Sequence, residues 1–297
     1  MLEKNLKLKN SICLNVKYTE VNDQKPFLLL LHFSGGTSAM WSGVVPYLQE
    51  DFNLIIPDLR GHGKSDRPGS GYHIDDLAGD LHLLLMEFKV TRCHVVGSSM
   101  GAEVGLGLAA AHPELIESLV CEGALTNEFG EYGLIDGNDV EIKQEKDKLR
   151  KQLSERKDIV FPNKEEYILY YKNPLEKQGI WNEHFLIFIE SCMEETDAGQ
   201  YVHFYKNHVR NEYMESYWDL RFEEYYKKIR CPVLFMPSEA EWSDLKTKQN
   251  LYYFSSLLKS YEITPLDQSL HAYVWMQIPD KAAAVVREFL GTQLQKV

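Results

Sequence analysis

The chain has few of the features that mark secreted scaffolds, membrane proteins or nucleic-acid binders. Its five cysteines, Cys13, Cys93, Cys121, Cys192 and Cys231, are scattered, odd in number and without a C-x-x-C pair. That excludes a disulfide framework or a cysteine-rich zinc cage and suits a reducing compartment. Positive charge is in deficit: 32 Lys and Arg stand against 44 Asp and Glu, a net charge of −12. Polyanions such as nucleic acid and anionic membranes are therefore disfavoured as partners. The longest apolar run, PFLLLL at 26–31, is far shorter than the roughly 20 residues that cross a bilayer. The N-terminal MLEKNLKLKN has no apolar core of a signal peptide, so the expectation is a cytoplasmic protein. His203 and His208 are five apart, not the three or four that put two ligands on one helix face, so no metal is expected. GHGKS at 61–65 ends like a phosphate-binding loop, but the glycine that loop needs first is Asp58 here, and no cofactor is expected.

What is present is an alternation. FLLLLHF (27–33), FNLIIPDL (52–59), RCHVVGS (92–98) and ESLVCEGAL (117–125) read as strands buried on both faces. HIDDLAGDLHLLLMEF (73–88) and the stretch from Met100 to His112 between them have helical spacing. CPVLFM (231–236) resumes the strand pattern, 251–266 gives a helix-to-strand passage, and PDKAAAVVREFLGTQL (279–294) closes with an amphipathic helix. Such alternation predicts an α/β fold with a mostly parallel sheet flanked by helices. Residues 126–230 interrupt it. They contain the charged run 141–158 and, from Phe161 to Tyr226, 16 aromatics in 66 residues, twice the chain's 12%. These rings must pack on one another, on the core or around an apolar ligand. The expected organisation is a core of 1–125 and 231–297, with a helical cap of 126–230 inserted after strand six.

The chemistry concentrates in VVGSSMG (95–101), a G-x-S-x-G at the passage from a buried strand to a helix. There a sharp turn projects the middle residue, Ser99, while Ser98 points elsewhere. The free N–H groups of the helix start suit a developing oxyanion. Three other stretches accompany it: HFSGGTSAMW (32–41), DLRGHGKSDRP (58–68) and LDQSLHAYVWMQIP (266–279). Together, in this order, they make the chain resemble cap-domain serine hydrolases of the α/β-hydrolase fold over about residues 11–295.

The resemblance implies a nucleophile at Ser99 and a base at His271, in the loop before the last helix. It implies an oxyanion hole from the N–H of Met100 and a second N–H in the 32–36 loop, Ser34 or, as the alternative, Phe33. Phe33 stands where relatives carry glycine and narrows that side of the pocket. The third member departs from the family pattern. In VLFMPSEAEWSD (233–244), Ser238 takes the usual glycine position and Glu241 the usual aspartate position. The extra methylene shifts the carboxylate by about 1.5 Å, and Glu239 and Asp244 are nearby competitors. Glu122, at the end of the preceding strand, is the alternative acid, and both glutamates satisfy the chain order Ser…acid…His.

The implied function is hydrolysis of a small carboxylic ester, thioester or lactone through an acyl-enzyme, with an apolar or aromatic small-molecule substrate. A C–C bond hydrolase, lyase or cofactor-free peroxidase on the same Ser-His pair is the first alternative. A non-catalytic ligand-binding protein of this fold is the second. An epoxide- or haloalkane-cleaving enzyme is disfavoured, because it needs a carboxylate nucleophile where Ser99 stands.

Overall fold

The computed structural model describes residues 1–123 and 125–294. Its frame is an eight-stranded sheet. The first six strands, β1 (Leu2–Lys7), β2 (Cys13–Tyr18), β3 (Phe27–Leu31), β4 (Asn53–Pro57), β5 (Cys93–Ser98) and β6 (Ile116–Glu122), precede the insertion. Four three-residue strands lie in the insertion: β7 (Asn127–Phe129) with β8 (Gly133–Ile135), and β9 (Met193–Glu195) with β10 (Tyr201–His203), paired in twos apart from the main sheet. β11 (Val233–Met236) and β12 (Tyr261–Ile263) return to it. The order across the sheet is β1-β2-β4-β3-β5-β6-β11-β12. β2 is antiparallel to both its neighbours and every pairing from β4 onward is parallel.

Sequence dictates this layering directly. All six residues of β5 and all five of β4 are buried, as unbroken apolar runs require when helices cover both faces. β1 is different. It pairs in register from Leu2↔Tyr18 to Lys7↔Cys13 at the sheet edge, mostly exposed, and its lysines blunt the open edge. Around the sheet lie α1 (Val45–Leu48), α2 (Ile74–Glu87) and α3 (Met100–Ala111). α3 is buried from Met100 to Ala109, which its glycines and alanines permit by letting it lie close on β3 and β5.

The insertion contributes α4 (Asp139–Glu155), α5 (Lys164–Lys177), α6 (Glu183–Ser191), α7 (Asn207–Tyr217) and α8 (Phe222–Tyr226). α4 has no buried residue and starts at an Asn138–Glu141 capping box, so it is a solvated helix held by its own caps and charge pairs. The aromatics divide differently. Tyr167, Phe185, Phe204, Tyr213, Phe222 and Tyr226 are buried and join one continuous apolar cluster with the strands of the core. After the insertion come α9 (Glu239–Ser243), α10 (Leu245–Ser255), α11 (Val274–Gln277) and α12 (Pro279–Leu294). Among the described residues no helix is long and apolar enough to cross a membrane. The carboxyl ends of β3, β5, β6 and β11 meet at one edge of the core, where ligands of open α/β sheets bind.

Candidate active site

Ser99 closes β5 and starts α3 with φ 49° and ψ −120°, a conformation that costs a non-glycine residue about 1–3 kcal/mol. Its flanking glycines allow the turn. A Cβ on Gly97 would lie 2.4 Å from the Ala102 nitrogen, and one on Gly101 2.2 Å from the Leu31 oxygen. The Ser99 N–H donates to the Glu122 carbonyl at 2.9 Å, which fixes the turn against β6. Its hydroxyl makes no capping bond to the helix behind it. Ser98 points the other way, into the protein, and its Oγ donates to Glu122 Oε2 at 2.6 Å.

Glu122 is fully buried and its second oxygen is also occupied: Oε1 accepts from the Ala272 N–H at 2.8 Å. Ala272 sits at φ 64°, so this bond holds a strained loop residue directly after His271. One carboxylate thus ties the residue before Ser99 to the residue after His271. Nδ1 of His271 lies 3.2 Å from Glu241 Oε1 and 3.7 Å from Glu122 Oε1. Glu241 Oε2 accepts from the N–H and hydroxyl of Ser238 at 2.9 and 2.7 Å, a capping box that starts α9 and orients the carboxylate. Gly123 makes room for the ring: a Cβ there would meet His271 Cε1 at 2.7 Å, and its φ is +101°.

Both glutamates shape the electrostatics. Burial pulls the His271 imidazole down, but the Glu122 charge, then the hydrogen bond and charge of Glu241 and the charge of Glu103, overbalance it and raise it to about 9. Burial raises Glu122, opposed chiefly by the His271 charge and the Ser98 hydroxyl. Glu103, buried on α3 four residues beyond Ser99, is pushed up to about 7 by burial, against the hydrogen bond that Tyr213 donates at 2.8 Å. The donor atoms of Glu122, Glu241 and His271 lie within 4.8 Å of one another, a set that could also hold a cation. The protein donors already on Glu122 and on Glu241 Oε2 make it primarily a cradle for an imidazolium.

The loop after β3 faces this group. Two buried histidines hold it. His32 Nε2 accepts from the Leu59 N–H at 2.9 Å, and His62 Nε2 accepts from the Gly35 N–H at 3.0 Å. Burial and the neighbouring His32 keep His62 well below the usual imidazole range, so it stays the neutral acceptor. The Gly36 N–H turns back to the Phe33 carbonyl at 2.8 Å. Phe33 and Ser34 border a cavity of about 420 Å³ that reaches into the insertion. Phe33 packs on Phe188 and Tyr273, ring centres 5.4 and 6.3 Å away. Ser34 Oγ and Tyr205 Oη share a hydrogen bond of 2.8 Å. Ser99 and His271 are not among the residues of its wall, whereas Phe33, Ser34 and Tyr273 are.

Comparison with known proteins agrees with this architecture. A family model described as the alpha/beta hydrolase fold matches residues 26–167. A solved structure of E-2-(acetamidomethylene)succinate hydrolase superposes with a TM-score of 0.78 over 98% of this chain and 99% of that one, at 22% identity. This chain has the α/β-hydrolase fold. Curated relatives match this chain over shorter stretches. It is 35% identical over 95 residues to 2-(acetamidomethylene)succinate hydrolase of Mesorhizobium japonicum, 32% of this chain and 34% of that protein. It is 38% identical over 98 residues to pimeloyl-[acyl-carrier protein] methyl ester esterase of Aeromonas hydrophila, 33% of this chain and 37% of that one. The match therefore spans about a third of the length of the curated relatives.

Within this chain the competing acids have other work. Glu239 Oε2 accepts from the Gln268 N–H at 2.9 Å, and Asp244 caps α10 through the Thr247 N–H at 2.7 Å. Trp41 is fully buried against Trp275, a packing residue. Three contributors have no linear signature: Gly123, the Glu122 tie and His62. Only His62 lay inside a recognisable segment, DLRGHGKSDRP, and its ring nitrogen's partner comes from another loop.

Proposed function

We propose that this chain is a serine hydrolase that cleaves a small carboxylic ester, thioester or lactone. The observation that carries the reading is the Glu122 tie: one buried carboxylate anchors the neighbours of both Ser99 and His271 while Glu241 faces Nδ1. Ser99 Oγ attacks the carbonyl carbon as the far nitrogen of His271 takes its proton. The tetrahedral oxyanion is received by the N–H groups of Met100 and Ser34, with Phe33 as the alternative donor, each worth about 10²–10³ in rate. His271 then gives the proton to the leaving group and activates water to release the acid. Glu241 is the orienting acid, because it is the nearer carboxylate and lies in the later strand's loop. Glu122 is the positioning residue behind it. Residues 126–230 form the cap that closes the pocket, and relatives named as a hydrolase and a methyl ester esterase are consistent with this chemistry.

The test is labelling with a fluorophosphonate probe read by intact mass. One adduct on the wild type and none on Ser99→Ala is the expected result. No adduct on a folded wild type, at pH 7 and again at pH 9, would sink the proposal.

A further inference from the structure

The cavity behind the β3 loop carries a charge that composition does not lead one to expect. In a chain of net charge −12, its wall holds Arg156, Lys157 and Arg210 against one acid, Asp158. Arg67 and Lys206 stand nearby and share Glu194, at 3.1 and 2.8 Å. Among the described residues Arg156 and Arg210 are in no ion pair. Arg210 is nonetheless held in place: Nη1 donates to Asn207 Oδ1 at 2.7 Å, Nη2 to the Tyr205 carbonyl at 3.4 Å, and Cζ lies 4.6 Å from the centre of the Tyr205 ring. Asn207 also donates to the Arg156 carbonyl at 3.1 Å, so one side chain links the two arginine segments. Burial, and then the Arg156 charge, lower Arg210 from its usual value. Burial and the charges of Arg210, Arg156, Lys206 and Arg67 bring His203 down to about 4, so the histidine of this wall stays neutral. Two arginines that line one cavity together with the hydroxyl-bearing Tyr171 and Tyr205, each lacking an ion pair among the described residues, offer donors suited to an anion. Tyr205 spans the gap. Its hydroxyl is on Ser34 and its ring is under Arg210, so one phenol separates the cation from the loop after β3.

We infer that this chain acts on an acid: a carboxylate of the substrate is seated by Arg210 and Arg156, about one aromatic ring from the carbonyl that reacts at the Ser34 side of Tyr205. The position of the reacting carbonyl rests on the hydrolase reading above, whereas the anion seat does not require Ser99. The apolar walls from Phe33, Phe188 and Tyr273 accept the body of the molecule, so an aromatic or aliphatic half-ester of a dicarboxylic acid fits the cavity's chemistry.

The test uses Ser99→Ala protein, so that nothing is consumed, and two probes differing in one charge: monobenzyl glutarate and its methyl diester. Calorimetric titration is expected to show the acid binding about tenfold or more tightly than the diester, in line with a charge-assisted contact. Arg210→Met and, separately, the exposed Arg156→Met are expected to bring the ratio to about threefold or less, while Arg210→Lys keeps part of it. Arg156 lies outside the core, so its variant reports even if Arg210→Met fails to fold. Equal affinity for the two probes, no binding of either, or a preference that survives both methionine variants overturns the seat. Fluorophosphonate labelling of the wild type separates the two readings. Labelled Ser99 with no acid preference removes the anion seat alone. An acid preference without labelling removes the hydrolase alone.

Discussion

The core and the insertion contribute groups of opposite charge to the two sites described above. On the core side stand Glu103, Glu122 and Glu241, placed by α3, by the end of β6 and by the loop after β11. On the insertion side stand Arg156 and Arg210, at the end of α4 and within α7. The two sides are also built differently. The core positions its groups through backbone: a strained turn, glycines that admit close approach, and amides aimed at one carboxylate. The insertion offers side chains on helices, with rings that pack into the common core and cations that do not. On the proposals above, this is a division of labour: the sheet would determine where a bond is attacked, and the insertion which molecule is held there. On the anion-seat proposal, an anionic group would be repelled by this acidic floor and attracted by the basic roof of Arg156 and Arg210, which would also orient what enters.

Breaking the acidic floor is expected to have the largest effect. Glu241→Gln should lower kcat by about 10²–10⁴, as loss of the orienting acid does in such triads, and Glu122→Gln by distinctly less when both are assayed at pH 9. The reverse ranking would move the orienting role to β6. The pH profile sharpens the distinction. With His271 raised to about 9, activity of the wild type should climb from pH 7 toward 9 as the imidazole loses its proton. The Glu122 charge is the largest single contribution raising it, so Glu122→Gln should move that limb to lower pH; an unmoved limb would refute the assignment.

Next comes the seat of the ring. Gly123→Ala puts a methyl 2.7 Å from His271 Cε1 at a positive φ, and about a tenfold loss of kcat with about 1 kcal/mol of stability is expected. If kcat is unchanged, the ring does not occupy this position during turnover. Glu103 gives a smaller effect, on stability, beside its minor share in raising His271. Its carboxyl is raised by burial to about 7, so its contribution is complete below about pH 4.5 and is lost as pH rises through 7. Glu103→Gln keeps an acceptor for Tyr213 and should melt progressively higher than the wild type between pH 5 and 8, by about 2 °C or more at the upper end. A constant difference across that range would exclude the titration. The smallest effect belongs to the roof's outer surface. Asp147, exposed on α4 and paired with Lys143 and Arg150 at 3.1 Å, should tolerate Ala within about 0.5 kcal/mol in a urea titration.

Much of the core was legible in the sequence because burial on both faces leaves an unbroken apolar run; β3, β4, β5 and β11 fall within the stretches so read, and β6 starts one residue before its stretch. Ser99 and His271 could be put forward from the sequence because each sits in a short segment whose backbone shape depends on local residues. β1 was not, since a charged edge strand has no apolar face to announce it. The insertion was read as helical; its four strands of three residues each are too short to stand out as apolar runs. The expectation of an apolar or aromatic ligand captured the rings of the cavity but not its cations. Arg156 and Arg210 are 54 residues apart in the sequence, and only the fold brings them to one wall. The same holds for Glu122, whose linear context shows an acid at a strand end and nothing of its two donors.

The bond from the Ala272 amide to Glu122 also carries a consequence in time. A loop beside an imidazole that is 44% exposed ordinarily exchanges its amide protons with solvent quickly. This one amide donates to a carboxylate with no solvent exposure, and its proton is released only when the loop lifts from β6. The exchange rate of Ala272 therefore measures how often the histidine leaves its place, a clock for the base set into the loop that carries it.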